Sequence, residues 1–156
     1  TVKSKVVGYG TEGNPYLFSN KNIFLRKYKI LKNKKILLFL GRIAEKKGLD
    51  ILINAFNKSK DLNMHLVLVG NCNNDYAKKI KILIKKNQMN SSVTWTGPLY
   101  GKMTWDAFRA SSLFCLTSHQ ENFGVSVVEA LSSGLPVLIT DKVNIFQTIK
   151  KYTFYA

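Results

Sequence analysis

Five short apolar runs alternate with segments of helical spacing along this chain, and that alternation limits the folds open to it. The runs fall at 36–40, 64–69, 93–96, 113–117 and 135–140, and Gly41, Gly70 and Gly97 close the first three. Between and after them, 49–56, 76–89, 103–111, 125–133 and 146–151 read as helices, and 152–155 as the start of a further strand. A run as continuous as Ile36-Leu37-Leu38-Phe39-Leu40 suits a strand covered on both faces. Strand and helix in regular succession, without internal sequence repeats, predict an α/β fold: a doubly wound, Rossmann-like parallel sheet. In such a sheet ligands bind beyond the carboxyl ends of the strands.

The loops at those ends carry the chemistry. In Ser118-His119-Gln120-Glu121-Asn122-Phe123-Gly124-Val125-Ser126-Val127-Val128-Glu129-Ala130, two of the nine acidic residues stand between an apolar strand and a helix start. The first N–H groups of that helix lack intrahelical partners and attract an anion, and Gly124, with no Cβ, lets the backbone approach it. Glu129, inside the helix, is placed to accept bonds from the vicinal hydroxyls of a ribose, and Glu121 faces whatever extends past the phosphates. Arg42 and Lys47 project from the loop after the first strand. Together they suit a diphosphate clamp, Arg42 offering forked donors and Lys47 a compact charge, while Lys46 is the exposed neighbour. His119, two positions before Glu121, stands within reach of a sugar or phosphate.

Composition narrows the partners. With 156 residues at 46% hydrophobic the chain suits one domain with a substantial core. No run is long enough to span a membrane and no leader pattern is visible, so the reading is cytoplasmic. Cys72 in a polar loop and Cys115 in an apolar strand form neither a metal cluster nor a disulfide framework. The formal charge is +15, yet 21 of the 24 basic residues are lysine, spread through an Asn- and Ile-rich chain. Compositional bias and contact with an anionic membrane are both open, the latter peripheral on its inner face, with the basic side of 76–89 as a candidate. Gly8, Gly10 and Gly13 spell a dinucleotide fingerprint, but Asn14-Pro15 follows where a helix is needed, and no acid lies between Glu12 and Glu45. His65 reads as a packed or surface residue at a strand edge, Trp95, Trp105 and Phe108 as packing residues and Arg109 as exposed.

Glu121 and Glu129, with Phe123-Gly124-Val125 between them and Ala130-Leu131-Ser132-Ser133-Gly134-Leu135-Pro136-Val137 following, resemble the signature of retaining glycosyltransferase family 4. The Gly41-Arg42-Ile43-Ala44-Glu45-Lys46-Lys47-Gly48 loop is similar to the one that opens that family's donor domain. The resemblance spans about residues 34–145. It implies the carboxyl-terminal, donor-binding half of a GT-B enzyme: 1–34 as a lead-in or linker from an absent amino-terminal domain, and 35–156 as the nucleotide-sugar domain, truncated at its carboxyl end. The implied activity is transfer of a hexosyl-type group from a nucleotide-diphosphate sugar to an acceptor, with retention, in polysaccharide or glycolipid synthesis. Glu121, Arg42 and Lys47 would serve the chemistry. Gly41, Arg42, Lys47, Leu99, His119, Asn122, Phe123, Gly124, Val125 and Glu129 would bind the donor. No Asp-x-Asp pair occurs, no cofactor is called for, and metal independence is expected. Lys142-Val143-Asn144-Ile145 departs from the glycine pair that many members carry there. The acceptor lies on the family's other domain, so this chain is expected to bind donor yet turn over weakly or not at all alone. Two rival readings stand beside this one, a non-catalytic nucleotide-sugar-binding module and a basic nucleic-acid-binding α/β domain. Scarce arginine counts against the second, and nucleic acid is not expected as a partner.

Overall fold

The computed structural model describes residues 15–16, 20–59 and 61–150. The Gly8/Gly10/Gly13 pattern and the strand expected at 152–155 lie outside them. Five strands form one parallel sheet: β1 (Lys35–Leu40), β2 (Met64–Val69), β3 (Val93–Gly97), β4 (Leu113–Leu116) and β5 (Val137–Ile139). Their order is β3-β2-β1-β4-β5. The doubly wound parallel sheet predicted from the alternation is therefore present, and β1 and β2 run in register from Lys35 opposite Met64 to Leu40 opposite Val69.

The helices are α1 (Lys21–Lys27), α2 (Leu49–Ser59), α3 (Asp75–Lys86), α4 (Lys102–Ala110), α5 (Val125–Ser132) and α6 (Phe146–Ile149). In α2 the buried residues Leu49, Leu52, Ile53 and Phe56 follow the i, i+3, i+4, i+7 rule of a helix laid on a sheet. The Asn74 side chain caps α3 by accepting the Ala77 N–H at 2.9 Å. α2 packs beside α3, the two crossovers that carry the chain from β1 through β2 to β3, and α1, which precedes β1, packs beside α4.

Ile36, Leu37, Leu38 and Phe39 of β1 are all buried, and so are Leu66 to Val69 of β2, so the central strands are covered on both sides. Helix α1 belongs to the same core: Phe24 is fully buried and stacks at a tilt on Tyr28, with Leu31 buried just beyond. Arg109 is exposed, and Trp105 and Phe108 are buried, as the periodicity predicted. His65 is buried with its Nε2 2.8 Å from Thr94 Oγ1, and burial, with the nearby Lys34 charge, lowers its pKa. Trp95 differs from the expectation of a core residue: it is half-buried at the β3 edge, its ring under the Lys81 ammonium. In α5, Val127 and Ala130 are fully buried, while Val125 and Leu131 face outward.

The strand order places the switch point between β1 and β4. The chain leaves β1 for α2 on one side and β4 for α5 on the other, and the two loops open a crevice at the carboxyl edge of the sheet.

Candidate functional site

The crevice is built by close backbone approach. Gly48 ends the 41–48 loop with φ +61°, and a Cβ there would lie 2.0 Å from the carbonyl oxygen of Thr117. Only glycine lets this loop rest on the end of β4. Two hydrogen bonds hold the contact: the Thr117 hydroxyl donates to the Gly48 carbonyl at 2.7 Å, and the His119 N–H to the Lys46 carbonyl at 2.8 Å. Buried Ile43 anchors the other end of the loop, and the Asn74 amide donates to its carbonyl.

The 118–124 loop is braced from its far side as well. The Glu121 N–H donates to the Lys142 carbonyl and the Asn144 N–H to the Glu121 carbonyl, a parallel bridge between Glu121 and Val143. The Thr140 hydroxyl donates to the Ser118 carbonyl at 2.6 Å. Val143 is fully buried and one of its methyls would lie 3.1 Å from a Cβ on Gly124, whose φ is +79°. The segment that departs from the family's glycine pair thus fills the space beneath the α5 start with an aliphatic side chain.

Arg42, Lys47, Glu121, Asn122, Phe123, Gly124, Val125 and Ser126 line one cleft of about 490 Å3. Lys47 and Glu121 form an ion pair across it, both side chains largely shielded, at 12% and 17% exposure. Arg42 is exposed, and its guanidinium has no ion-pair or hydrogen-bond partner among the described residues. At the α5 terminus the Val127 N–H bonds the Gly124 carbonyl at 2.8 Å. The N–H groups of Val125 and Ser126 lack an acceptor among the described residues. The cleft therefore gathers a free guanidinium, a shielded ammonium and an open helix terminus, all suited to an anion, with one carboxylate at its edge.

The other predicted residues stand apart from that lining. Gly41 sits at the end of β1, where a Cβ would make only ordinary contacts, 3.6 Å to Phe39 and 4.0 Å to Lys47. Glu129 is one turn into α5, partly buried, its carboxylate without a hydrogen-bond partner among the described residues, and burial raises its pKa. Leu99 follows β3, partly buried against the core. His119 turns to a neighbouring hollow with Asp50 and Tyr76: its Nε2 is 4.0 Å from the Asp50 carboxylate, to which the Tyr76 hydroxyl donates at 3.0 Å. Gly48, Thr117, Thr140 and Val143 hold the site together and were not singled out from the sequence as site residues. The glycine before a helix start was a usable signal for the first and the departure from a glycine pair at 142–145 for Val143; nothing in the sequence marked Thr117 or Thr140.

A family model for the group 1 glycosyl transferases matches residues 20–153. This chain belongs to the group 1 glycosyl transferases. Among relatives, it is 32% identical over 124 residues to the mannosylfructose-phosphate synthase of Agrobacterium fabrum, covering 74% of this chain and 27% of that protein. Among solved structures, it resembles WaaG, a glycosyltransferase involved in lipopolysaccharide biosynthesis, with TM-score 0.75 and 26% identity over 89% of this chain and 39% of that one. It shares its fold with Anabaena Alr3699/HepE, solved with UDP and glucose, at TM-score 0.72 and 23% identity over 82% of this chain and 38% of that one. The chain spans about a quarter to two fifths of the curated relatives it matches. Within this group 1 domain, the two loops that carried the resemblance in sequence, 41–48 and 118–124, are those that meet at the crevice.

Proposed function

We propose that this chain is the donor-binding half of a glycosyltransferase that moves a sugar from a nucleotide-diphosphate sugar to an acceptor, with retention at the anomeric carbon and without a metal. The convergence of Arg42, Lys47 and the α5 terminus on one cleft, with Glu121 at its edge, carries the reading. The named ligands of the Anabaena protein, UDP and glucose, and the role of WaaG in lipopolysaccharide biosynthesis support it by likeness.

In this reading the diphosphate lies over the α5 terminus. Arg42 and Lys47 stabilise the negative charge that grows on it as the glycosidic bond breaks, an electrostatic contribution that needs no proton transfer. They take the role a divalent cation has elsewhere. Lys47 arrives already paired with Glu121, so the diphosphate competes for the ammonium and frees the carboxylate to receive sugar hydroxyls beside the reacting carbon. Glu129, partly desolvated and unpartnered, gains the ribose hydroxyls as donors. The 97–99 turn contributes the base contact through its backbone. The acceptor, a polysaccharide or glycolipid precursor, sits on a second, amino-terminal domain. The enzyme is cytoplasmic, and the present chain binds donor but transfers poorly by itself.

Calorimetric titration of the purified chain with UDP, GDP and ADP in EDTA tests this. One nucleotide should bind saturably, and Arg42→Ala and Glu129→Gln should each weaken it about tenfold or more, the size of one charged hydrogen bond. Binding of none of the three, or binding indifferent to both substitutions, would refute the assignment. In the longer protein, Glu121→Gln should abolish transfer while leaving nucleotide affinity nearly intact. A biological activity that survives this change would identify a non-catalytic module instead.

A further inference from the structure

Seven of the fifteen residues from 21 to 35 are Lys or Arg and none is acidic. Charge runs of this kind are ordinarily interleaved with carboxylates once the chain folds. Here they are not: Lys21, Arg26, Lys27, Lys29 and Lys32 have no ion pair among the described residues, and Lys27 lies over the Tyr28 ring. The other basic helix differs in part: in α3, Lys78 pairs with Asp75 at 2.9 Å and Lys79 with Glu45 at 3.2 Å, and Lys81 lies over Trp95, which leaves Lys85 and Lys86 without an ion pair among the described residues and one exposed isoleucine, Ile82, beside them.

The segment is also a fixed platform. Phe24 and Leu31 pin it to the core, and the Asn20 side chain caps α1 by accepting the Asn22 N–H. With those two residues turned inward, Ile23 and Ile30 remain outside at 42% and 55% exposure, large apolar side chains set among the cations. Arg26, Lys29 and Lys32 converge with Asn22 and Leu25 on a groove of about 460 Å3, with Leu25 as its apolar wall. Three cations around such a groove match a phosphate-bearing headgroup, and the two isoleucines match the acyl boundary beneath it.

We propose that the α1 surface, Lys21 to Lys32, docks this domain on an anionic lipid bilayer, with Arg26, Lys29 and Lys32 at the lipid phosphates and Ile23 and Ile30 entering the interface. No helix of the described residues is long and apolar enough to cross a membrane, so the contact is peripheral. Unpaired cations with exposed isoleucines between them favour lipid over nucleic acid, which gains nothing from the aliphatic side chains.

Sedimentation of the whole chain with vesicles of phosphatidylcholine, with and without phosphatidylglycerol, tests the surface. The chain should bind the anionic vesicles and not the neutral ones. The combined change Arg26→Gln, Lys29→Gln and Lys32→Gln should lower the partition coefficient about a hundredfold, at about fivefold per cation. Ile23→Ser with Ile30→Ser should lower it several-fold without changing net charge. Lys81→Gln, Lys85→Gln and Lys86→Gln on α3 remove the same charge and should cost less than threefold. All substituted residues are solvent-facing, so circular dichroism should show unchanged folding. Equal losses from the two triple variants would mean that net charge alone acts, and would overturn the proposal. So would failure to bind anionic vesicles, or tighter binding to single-stranded RNA lost in the same α1 variant.

Discussion

Gly48→Ala tests the structural basis of the crevice with one methyl group. The added Cβ would lie 2.0 Å from the Thr117 carbonyl oxygen, a backbone atom that cannot step aside without moving the end of β4. Alanine at φ +61° adds about 1–2 kcal/mol of left-handed strain. Relieving the clash requires the 41–48 loop to lift, which breaks the Thr117 hydroxyl bond to Gly48 and the His119 N–H bond to Lys46. At about 1 kcal/mol each, the total is roughly 3–4 kcal/mol. With a urea m-value of about 2 kcal/mol/M, the midpoint should fall by about 1.5–2 M. Gly41→Ala is the paired control, because its Cβ meets nothing closer than 3.6 Å. It should unfold within about 1 kcal/mol of wild type, as surface-compatible changes do. Both curves are read by tryptophan fluorescence at pH 7. A Gly48→Ala midpoint within 0.5 M of wild type, at about 1 kcal/mol for that slope, would refute the claim that close approach fixes this loop. An equal loss in Gly41→Ala would refute the claim that the two glycines differ in kind.

Further outcomes follow from the same structure. Thr117→Val keeps the shape but removes one of the two donors to the Gly48 carbonyl, leaving the Leu52 N–H, and should cost about 1 kcal/mol in urea unfolding. His65 has its pKa lowered below the ordinary 6.5, so the unfolded chain takes up the proton first. Stability should therefore fall as pH drops through about 6.5, and His65→Gln should flatten that slope in melts between pH 7 and 5. Burial raises the Glu129 pKa, which disfavours its charged form in the fold. Glu129→Gln should raise the melting temperature at pH 7 while weakening nucleotide binding, an opposition that a purely structural carboxylate would not show. The Cys115 thiol is fully buried and pushed up to about 12, whereas Cys72 is partly exposed. One thiol per native chain should react quickly with an aromatic disulfide reagent at pH 8, and Cys72→Ser should remove it.

The repeating order of apolar run, turn and helical spacing was enough to determine the sheet, its parallel sense and the edge where the site lies. Those features depend on local periodicity and on the handedness of crossovers, and both can be read along a chain. The motifs around Arg42, Lys47, Glu121 and Gly124 were legible because glycines and charges at strand ends are rare against an apolar background. Other features depend on contacts between residues far apart in sequence. The pairing of Lys47 with Glu121, 74 positions apart, came only from folding, as did the docking of Gly48 on Thr117 and the filling of the α5 base by Val143. Tertiary structure also decided where side chains point: His119 follows its backbone bond to Lys46 and faces Asp50, away from the cleft that its sequence position suggested. It decided as well which lysines gain a distant partner, since the fold brings Glu45 to Lys79 of α3 and no carboxylate to the cations of α1 among the described residues. Periodicity determines which elements form, while ion pairs, close backbone approach and side-chain direction depend on distances that exist only once those elements are packed.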